Sequence, residues 1–203
     1  MMVNLKQLGL VSTIFFMALS FSIKAEELSK TATIVFDQVE VALKQLKAND
    51  GLNSTELKGL VNTVVLPHID HKYFTFKVLG KHLEKLTPEQ RAEFVELLTI
   101  DLVSNYAESL KRYNNEKITV VSSTLAPSGK LASVAMKFTG QDKPINATTK
   151  WRMSDKDSEW YIYDFVVEGV SLLQTKQKEL GSQLSSTGIL GTIDKLKSKT
   201  TKG

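Results

Sequence analysis

The sequence WYIYDFVVEGVSLL, at residues 160–173, decides the fold of this chain. Apart from one aspartate, its first eight residues are aromatic or β-branched, a composition that favours a β-strand over residues 160–167. Strict alternation would divide these side chains between two faces: Trp160, Ile162, Asp164 and Val166 on one, and Tyr161, Tyr163, Phe165 and Val167 on the other. Both faces are largely apolar, so we expect other parts of the chain to cover both of them.

The second half of the same stretch ends the strand and starts a helix. Glu168 and Gly169 form a break that is typical of a turn. Ser171 can then accept a hydrogen bond from the first turn of a helix that carries Leu172 and Leu173. Fourteen residues therefore specify a strand, a corner and a covering helix.

Before this stretch, the apolar residues recur with helical spacing. Residues 29–47 carry an apolar stripe with lysines on the opposite side, which predicts a first amphipathic helix. Asn53, with Glu56 three positions later, forms an N-cap pattern for a second helix. Pro67 ends that helix, because the residue before a proline is disfavoured in the α conformation. Asp70 is placed to cap a third helix.

The segment TPEQ, residues 87–90, is the clearest helix start in the chain. Threonine is the N-cap, proline is the first helical residue, and the glutamine at the third position completes a capping box. The helix that it begins is predicted to reach about residue 113. Its apolar stripe follows a spacing of four residues: Phe94, Leu98, Leu102, Tyr106 and Leu110.

From residue 117 onward the apolar period changes from that of a helix to that of a strand. The predicted strands are residues 117–125, 131–139, 145–154 and 160–167, and their short connections indicate an antiparallel meander. Two helices, residues 171–184 and 188–196, are expected after them. Helices grouped before an antiparallel sheet predict an α+β fold in which a helical layer packs on a four-stranded antiparallel sheet.

Three stretches of the chain resemble the MlaC family of periplasmic phospholipid-binding proteins, also called toluene-tolerance transport proteins. They are W-x-x-Y-D-x-x-x-E-G-V-S-L at residues 160–172, LPHID at 66–70 with Tyr73 and VLGKH at 78–82 behind it, and TPEQR at 87–91 followed by Phe94. The resemblance implies helices on a curved sheet, similar to the nuclear-transport-factor-like or cystatin-like cone. It also implies an apolar pocket between the two layers that takes up phospholipid acyl chains.

Residues 1–25 have the features of a secretory signal peptide. Lys6 supplies the positive charge, residues 8–23 form an almost uncharged apolar run, and IKA at residues 23–25 is a tolerable cleavage site. We expect a cleaved signal followed by a single domain of residues 26–203, with an uncleaved membrane anchor as the alternative. With the resemblance, this predicts a periplasmic protein of a Gram-negative bacterium.

Composition excludes several classes of protein. The chain has no cysteine, so it cannot be a lipid-modified lipoprotein, form disulfides or hold a metal through thiolates. Removing Lys6 and Lys24 with the signal leaves 24 basic and 22 acidic residues. This balance is too even to indicate a nucleic-acid partner.

Few residues suggest catalysis or metal binding. His68, Asp70 and His71 form one cluster with ligand chemistry, but a helix-to-helix corner capped by Asp70 explains the same residues. Asp164 is the strongest acid–base candidate, because burial would raise its pKa. A structural pair between Asp164 and Arg152 or Lys150 on the neighbouring strand is the alternative. We therefore predict that the chain is not an enzyme and that it holds neither a metal nor a cofactor.

The resemblance implies the function: a monomeric, soluble shuttle that carries phospholipid as cargo and maintains the lipid asymmetry of the outer membrane. Its implied partners are an MlaA-type outer-membrane lipoprotein with a porin, and an inner-membrane ABC transporter with an MCE-domain subunit. From the apolar faces that should oppose one another, we predict a lipid site lined by Val64, Tyr73, Phe74, Phe94, Leu98, Tyr106, Val134, Met136, Phe138, Thr149, Trp151, Tyr163 and Val167.

Two other functions fit the same residues. One is a periplasmic adaptor that binds membrane complexes but carries no lipid, and its apolar residues would form an ordinary filled core. The other is a small hydrolase or isomerase that uses Asp164 or His68, since cone-shaped folds also host enzymes.

Overall fold

The computed structural model describes residues 5–49, 52–140 and 143–200, and only the backbone of residues 5–23. The helices in these ranges are α1 (Leu5–Ala48), α2 (Ser54–Leu60), α3 (His71–Leu79), α4 (Pro88–Leu110) and α5 (Leu172–Thr200). The strands are β1 (Lys117–Leu125), β2 (Leu131–Thr139), β3 (Ile145–Met153), β4 (Trp160–Val167) and β5 (Val170–Ser171). They form an antiparallel sheet in the order β1-β2-β3-β4-β5. The predicted α+β class is confirmed, and β5 adds a short fifth strand.

Local capping fixes the start of α2, α3 and α4, as the sequence predicted. The Asn53 side chain accepts a hydrogen bond from the Glu56 amide, and Asp70 accepts one from the Tyr73 amide. At α4 the capping box is complete, because the Gln90 amide donates to the Thr87 hydroxyl and the Gln90 side chain accepts from the Thr87 amide. Each bond satisfies a donor that the first helical turn would otherwise leave free.

The segment between α2 and α3 differs from the regular helix that the sequence suggested. After α2 the chain forms a π-helical turn, Val61–Val65, and then a 3₁₀ turn, Leu66–His68. Ile69 then pairs in parallel with Ile162, and the Asp70 amide donates to the Ile162 carbonyl. This bridge attaches the start of α3 to the β4 side of the sheet.

A β-bulge corrects the strict alternation predicted for β4. Lys150 is paired with Asp164, whereas its neighbour Trp151 is paired with Ile162, so Tyr163 is the extra residue. A bulge of this kind reverses which face the following residues occupy. Trp160 and Ile162 therefore lie on the same face as Phe165 and Val167, and the predicted assignment of Phe165 and Val167 to the opposite face is wrong.

The last helix has a sharp break at Gly188. Its backbone there has φ 67° and ψ −173°, a conformation that glycine adopts without the steric cost of a side chain. The break divides α5 into the two helical segments that the sequence predicted. The second segment returns to α4, where Lys197 pairs with Glu93 and Lys199 pairs with Asp101.

A partly buried ion cluster joins α4 to both segments of α5. The Asp101 carboxylate lies 2.6 Å from the Lys176 ammonium and 2.7 Å from that of Lys199, and Lys176 also contacts Glu179. Only 3% of the Asp101 side chain and 8% of the Lys176 side chain are exposed. We call Asp101, Lys176, Glu179 and Lys199 the ion cluster.

Helix α1 is longer than the predicted helix of residues 29–47 and extends back to Leu5. Its packed part starts at Leu28, where the apolar stripe becomes buried, three residues after the predicted cleavage site. Cleavage after residue 25 and the domain limits stay predictions, and residues 1–4 and 201–203 lie outside the described residues. Across the described ranges, no helix combines the length and the apolar character needed to cross a membrane.

Candidate functional site

The apolar side chains of the described residues form two separate cores. The first, which we call the interlayer core, lies between the sheet and the helical layer that covers its inner face. It joins residues of α1, α2 and the second half of α4 to the inner sides of β1 to β4. Trp151, Val134 and Ile162 lie at its centre and are almost completely buried.

The second, which we call the helical core, contains residues of the helices and of the connection before α4, and none of its members lies in a strand. It contains buried residues of α3, the first half of α4 and both segments of α5, including Phe74, Phe94 and Leu180. Tyr106 packs against both cores. Helix α4 is thus shared between them, and its predicted apolar stripe passes from one core to the other.

The residues predicted to line a lipid site are divided between these regions. The interlayer core contains Val134, Met136 and Trp151, and Val64, Tyr106 and Phe138 pack against it. The helical core contains Phe74, Phe94 and Leu98. The structure therefore brings together the residues from the sheet and from the second half of α4, and places the other three in a different core. As lipid contacts, all of them stay predictions.

The remaining four predicted residues occupy different surroundings. Thr149 is buried on the inner face, and its hydroxyl accepts a hydrogen bond of 2.7 Å from the Trp151 indole. Tyr73 and Tyr163 contact each other edge to face at the outer side of β4, with ring centroids 5.3 Å apart, and Arg152 lies over the Tyr73 ring. Val167 lies at the end of β4 and is partly exposed.

An aromatic group at the β4 side of the interlayer core was missing from the predicted site. Phe165 contacts Tyr106 with ring centroids 5.1 Å apart, and contacts Phe36 of α1 at 6.5 Å. Sequence alternation placed Phe165 on the same face as Tyr163 and Val167, which were predicted to line the site. The bulge, which nothing in the local sequence reveals, keeps Phe165 and Val167 on the inner face and removes Tyr163 from it. Phe36 was recognisable, since it lies in the apolar stripe of residues 29–47.

The polar groups next to this core have structural partners. Asp164 accepts hydrogen bonds from the Ser171 hydroxyl at 2.7 Å and from the Leu173 amide at 3.0 Å, and the Gln174 amide donates to Ser171. Both side chains therefore cap α5. Burial raises the pKa of the nearby Tyr106 phenol, and the Asp164 charge raises it further. That phenol stays protonated, so it is no candidate for a base.

The corner around His68 is likewise built from structural contacts. The Asp70 carboxylate accepts the Tyr73 amide and forms a 2.6 Å ion pair with Arg152, which is therefore not the partner of Asp164. Burial lowers the pKa of His68. Across the described ranges, no three His, Asp or Glu side chains are grouped closely enough to hold a metal ion.

Two small cavities open at the surface of the described residues, and polar and apolar side chains line both of them. One, of about 210 Å³, lies beside the Asp70 corner and is lined by Ile69, Asp70, His71, Ser154, Asp157 and Tyr161. The other, of about 180 Å³, is lined by residues of α2, of the π-helical turn and of α4, together with Thr200. Sites for drug-sized molecules occupy about 300–1,000 Å³. Neither cavity is therefore large enough for a diacyl lipid.

Comparison with known proteins identifies the family. The family model described as MlaC protein matches residues 34–198, which include the whole helical core and all of the interlayer core except Leu28 and Ala32. The chain belongs to the MlaC family. The resemblance seen in the three sequence stretches is thereby confirmed, and so is the prediction that the chain is not an enzyme, since a curated MlaC of this family is named a binding protein.

The curated relatives are distant in sequence but cover most of the chain. The intermembrane phospholipid transport system binding protein MlaC of Haemophilus influenzae is 26% identical over 171 residues, which span 83% of this chain and 78% of that protein. The toluene tolerance protein ttg2D of Pseudomonas putida is 27% identical over 150 residues, which span 72% of this chain and 69% of that protein. This chain is similar to both along most of its length.

A solved structure has the same fold. It is a phospholipid-binding protein from Ralstonia solanacearum, solved in complex with a phospholipid, and it superposes with a TM-score of 0.76 at 20% sequence identity. The match covers 86% of this chain and 97% of that protein. The two proteins therefore share the arrangement of helices on an antiparallel sheet.

Proposed function

We propose that this chain is a periplasmic phospholipid carrier that moves lipid between complexes of the outer and inner membranes. Its membership of the MlaC family supports this, as do the names of its relatives. The observation that carries the proposal is the interlayer core. There an apolar sheet face and the apolar sides of α1, α2 and α4 meet in a fold whose solved neighbour holds a phospholipid.

The energetics of lipid transfer explain why such a carrier needs no catalytic group. A diacyl phospholipid has roughly 30 methylenes, and each costs about 0.8 kcal/mol when it is exposed to water, so free transfer costs on the order of 20 kcal/mol. A protein that replaces the apolar surroundings of the membrane with its own removes most of this cost. Transfer between membrane and protein is then nearly isoenergetic and can run in either direction.

In this proposal, lipid binding requires the sheet and the helical layer to move apart. Side chains with almost no exposed surface, such as Trp151 and Val134, occupy the space between the sheet and the helices. Acyl chains can enter there only if these side chains rearrange and a helix shifts away from the sheet. Most of the binding free energy would come from the chains, so we expect little selectivity for the headgroup.

We further propose that the mature protein begins near Glu26, after export. In this proposal it is a monomer that receives or delivers lipid at an MlaA-type lipoprotein with a porin and at the MCE-domain subunit of an ABC transporter. The support is the signal-like composition of residues 1–25 and the transport system named for the H. influenzae relative.

Native mass spectrometry of residues 26–203 tests the proposal, with the protein purified from a bacterial periplasm without detergent. We expect an added mass that organic extraction identifies as phosphatidylethanolamine or phosphatidylglycerol. A bare protein mass in repeated preparations, and after incubation with vesicles of both lipids, would contradict the proposal and favour an adaptor with a filled core.

A further inference from the structure

One row of residues on the inner face of the sheet runs from the buried core to the surface. Met136, Ala147, Val167 and Val170 are successive partners across β2, β3, β4 and β5. Residues directly opposite each other in antiparallel strands point to the same face. Their exposed fractions rise steadily along the row, from 2% and 6% to 45% and 65%. The inner face is therefore covered at β2 and open at β5.

In the neighbouring row of cross-strand partners, the exposed fraction of the side chains also rises. Ile118, Phe138 and Ile145 are successive partners on β1, β2 and β3, and exposure rises from 7% at Ile118 to 41% at Ile145. Ile145, Val167 and Val170 are thus exposed together at one corner of the inner face. We call these three residues the apolar corner. Single exposed apolar residues are ordinary on protein surfaces, but a group that continues into the core is not.

The apolar corner connects to the interlayer core along the inner face of the sheet. Phe165 lies two residues before Val167 on the same strand and the same face, and it contacts Phe36 and Tyr106. Beyond Phe165, the inner face continues through Thr149, whose hydroxyl accepts the Trp151 indole hydrogen bond, to Val134 in that core. Adjacent strands are about 4.8 Å apart, so a hydrocarbon chain that follows these rows passes from one apolar side chain to the next, except at Thr149, where the hydroxyl is already hydrogen-bonded.

We propose that the apolar corner is the entrance through which phospholipid acyl chains pass into the interlayer core. This rests on the proposed function and adds a location to it. A chain that enters here exchanges membrane contacts for Val170, then Val167, then Phe165. Few of its methylenes need to meet water, each of which would cost about 0.8 kcal/mol.

The test compares two glutamate substitutions with the same change in charge. Val170→Glu places a carboxylate at the apolar corner, and Val121→Glu places one on β1, where valine is exposed to a similar extent, 62% against 65%. Both positions are largely exposed, so both variants should fold. Val170→Leu keeps the apolar character and serves as the conservative variant. The measurement is the rate of uptake of a fluorescent phospholipid from phosphatidylcholine vesicles.

We expect uptake by Val170→Glu to be slower by about tenfold, because acyl chains must pass a charged group that strongly favours water. Val121→Glu and Val170→Leu should match the wild-type rate. The amount of lipid held at equilibrium should stay the same in all four proteins, since Val170 lies on the route and not in the core.

Every other result overturns either the entrance alone or the proposed function together with the entrance. Equal uptake rates for Val170→Glu and Val121→Glu, in proteins that still carry lipid, would overturn the entrance while the proposed function stands. If Val170→Glu also converts a dimer to a monomer, the apolar corner is instead a contact between copies of the chain. A wild-type protein that takes up no lipid would overturn the proposed function, and the entrance with it.

Discussion

The two cores of this protein are held together in different ways. The helical core is closed by charged and capping contacts: the ion cluster, the Lys197–Glu93 pair and the Thr87 capping box. The interlayer core is held mainly by apolar contact, with hydrogen bonds at its edge such as Ser29 to Ser123 and the Ile118 amide to Glu40. Apolar contact is non-directional and is easily replaced by a hydrocarbon chain.

This difference suggests which parts move when lipid binds. Helix α4 contributes to both cores, but Asp101 fixes it to α5. Helix α1 packs on β1 and belongs to the interlayer core alone. We therefore expect the helical core to serve as a fixed support for α4, and α1 to be the element that shifts from the sheet.

The largest effect should follow from filling the interlayer core. Val134 and Val78 are both buried valines, the first in the interlayer core and the second in the helical core. Val134→Trp should abolish lipid retention, whereas Val78→Trp should keep it. Each substitution should lower stability by about 1–3 kcal/mol through overpacking. Native mass spectrometry measures lipid retention, and denaturant unfolding measures stability.

Val78→Trp is the matched control, because it adds the same volume to the other core. Ala147→Trp, also in the interlayer core, should behave like Val134→Trp. Lipid retention by folded Val134→Trp and Ala147→Trp would show that acyl chains lie elsewhere.

The next largest effect should come from the ion cluster. Lys176→Met removes a cation next to the buried Asp101 carboxylate, which should lower the free energy of unfolding by about 3 kcal/mol. Lys30→Met is the control, because the Lys30–Glu26 pair is exposed and its loss should leave the free energy of unfolding almost unchanged. Urea unfolding measures both, and lipid retention should not change. Equal stability of the two variants would show that the ion cluster does not strengthen the helical core.

The ion cluster also predicts a pH dependence. Burial alone would raise the pKa of Asp101, but hydrogen bonds from the Lys176 and Lys199 ammonium groups outweigh it and hold that pKa below its ordinary value. The stability that this charge supplies is therefore complete above the unfolded pKa of about 3.9 and is lost as the pH falls through the lower folded pKa. The stability difference between wild type and Asp101→Asn should be constant from pH 7 to pH 5 and shrink below pH 4. A difference that does not shrink in acid would contradict this account.

A smaller effect, on the rate of lipid uptake, tests whether α1 shifts away from the sheet. The Ser29 and Ser123 hydroxyls are 3.0 Å apart, and the chain has no cysteine of its own. In the variant Ser29→Cys/Ser123→Cys, oxidation can therefore join α1 to β1. We expect the oxidised form to take up fluorescent phospholipid about tenfold more slowly than its reduced form, since a tenfold change corresponds to only about 1.4 kcal/mol. Equal rates in a fully oxidised protein would mean that another element moves.

The smallest effect should come from single helix caps. Thr87→Ala at α4 and Asn53→Ala at α2 each remove one capping hydrogen bond, so each should lower stability by about 1 kcal/mol. Neither side chain lies in a core, and lipid retention should be the same as in wild type. The pair also shows whether a modest loss of stability by itself releases lipid.

Local structure was largely predictable from the sequence, because it depends on neighbouring residues. The strands match the predicted ranges, with β3 ending at Met153 and not at residue 154. Caps at Asn53, Asp70, Thr87 and Ser171 form as expected, since each uses donors within three residues.

The candidate site was less predictable, because it depends on contacts between distant residues. The stripe from Phe94 to Leu110 looks continuous along α4, yet it passes from the helical core to the interlayer core near Tyr106. The bulge at Tyr163 reverses the facing of Phe165, and no local pattern reveals it. The sequence therefore indicated which residues are apolar, but not which of them face each other.

Photocrosslinking tests the central claim most directly, because it needs no change to the protein. The wild-type chain would be loaded with a phospholipid that carries a diazirine at the end of one acyl chain, irradiated and digested, and the crosslinked peptides identified by mass spectrometry. The account predicts crosslinks in β2, β3 and β4 and in residues 28–43 of α1, which line the interlayer core. Crosslinks confined to α3 and α5 would place the acyl chains in the helical core and contradict the account.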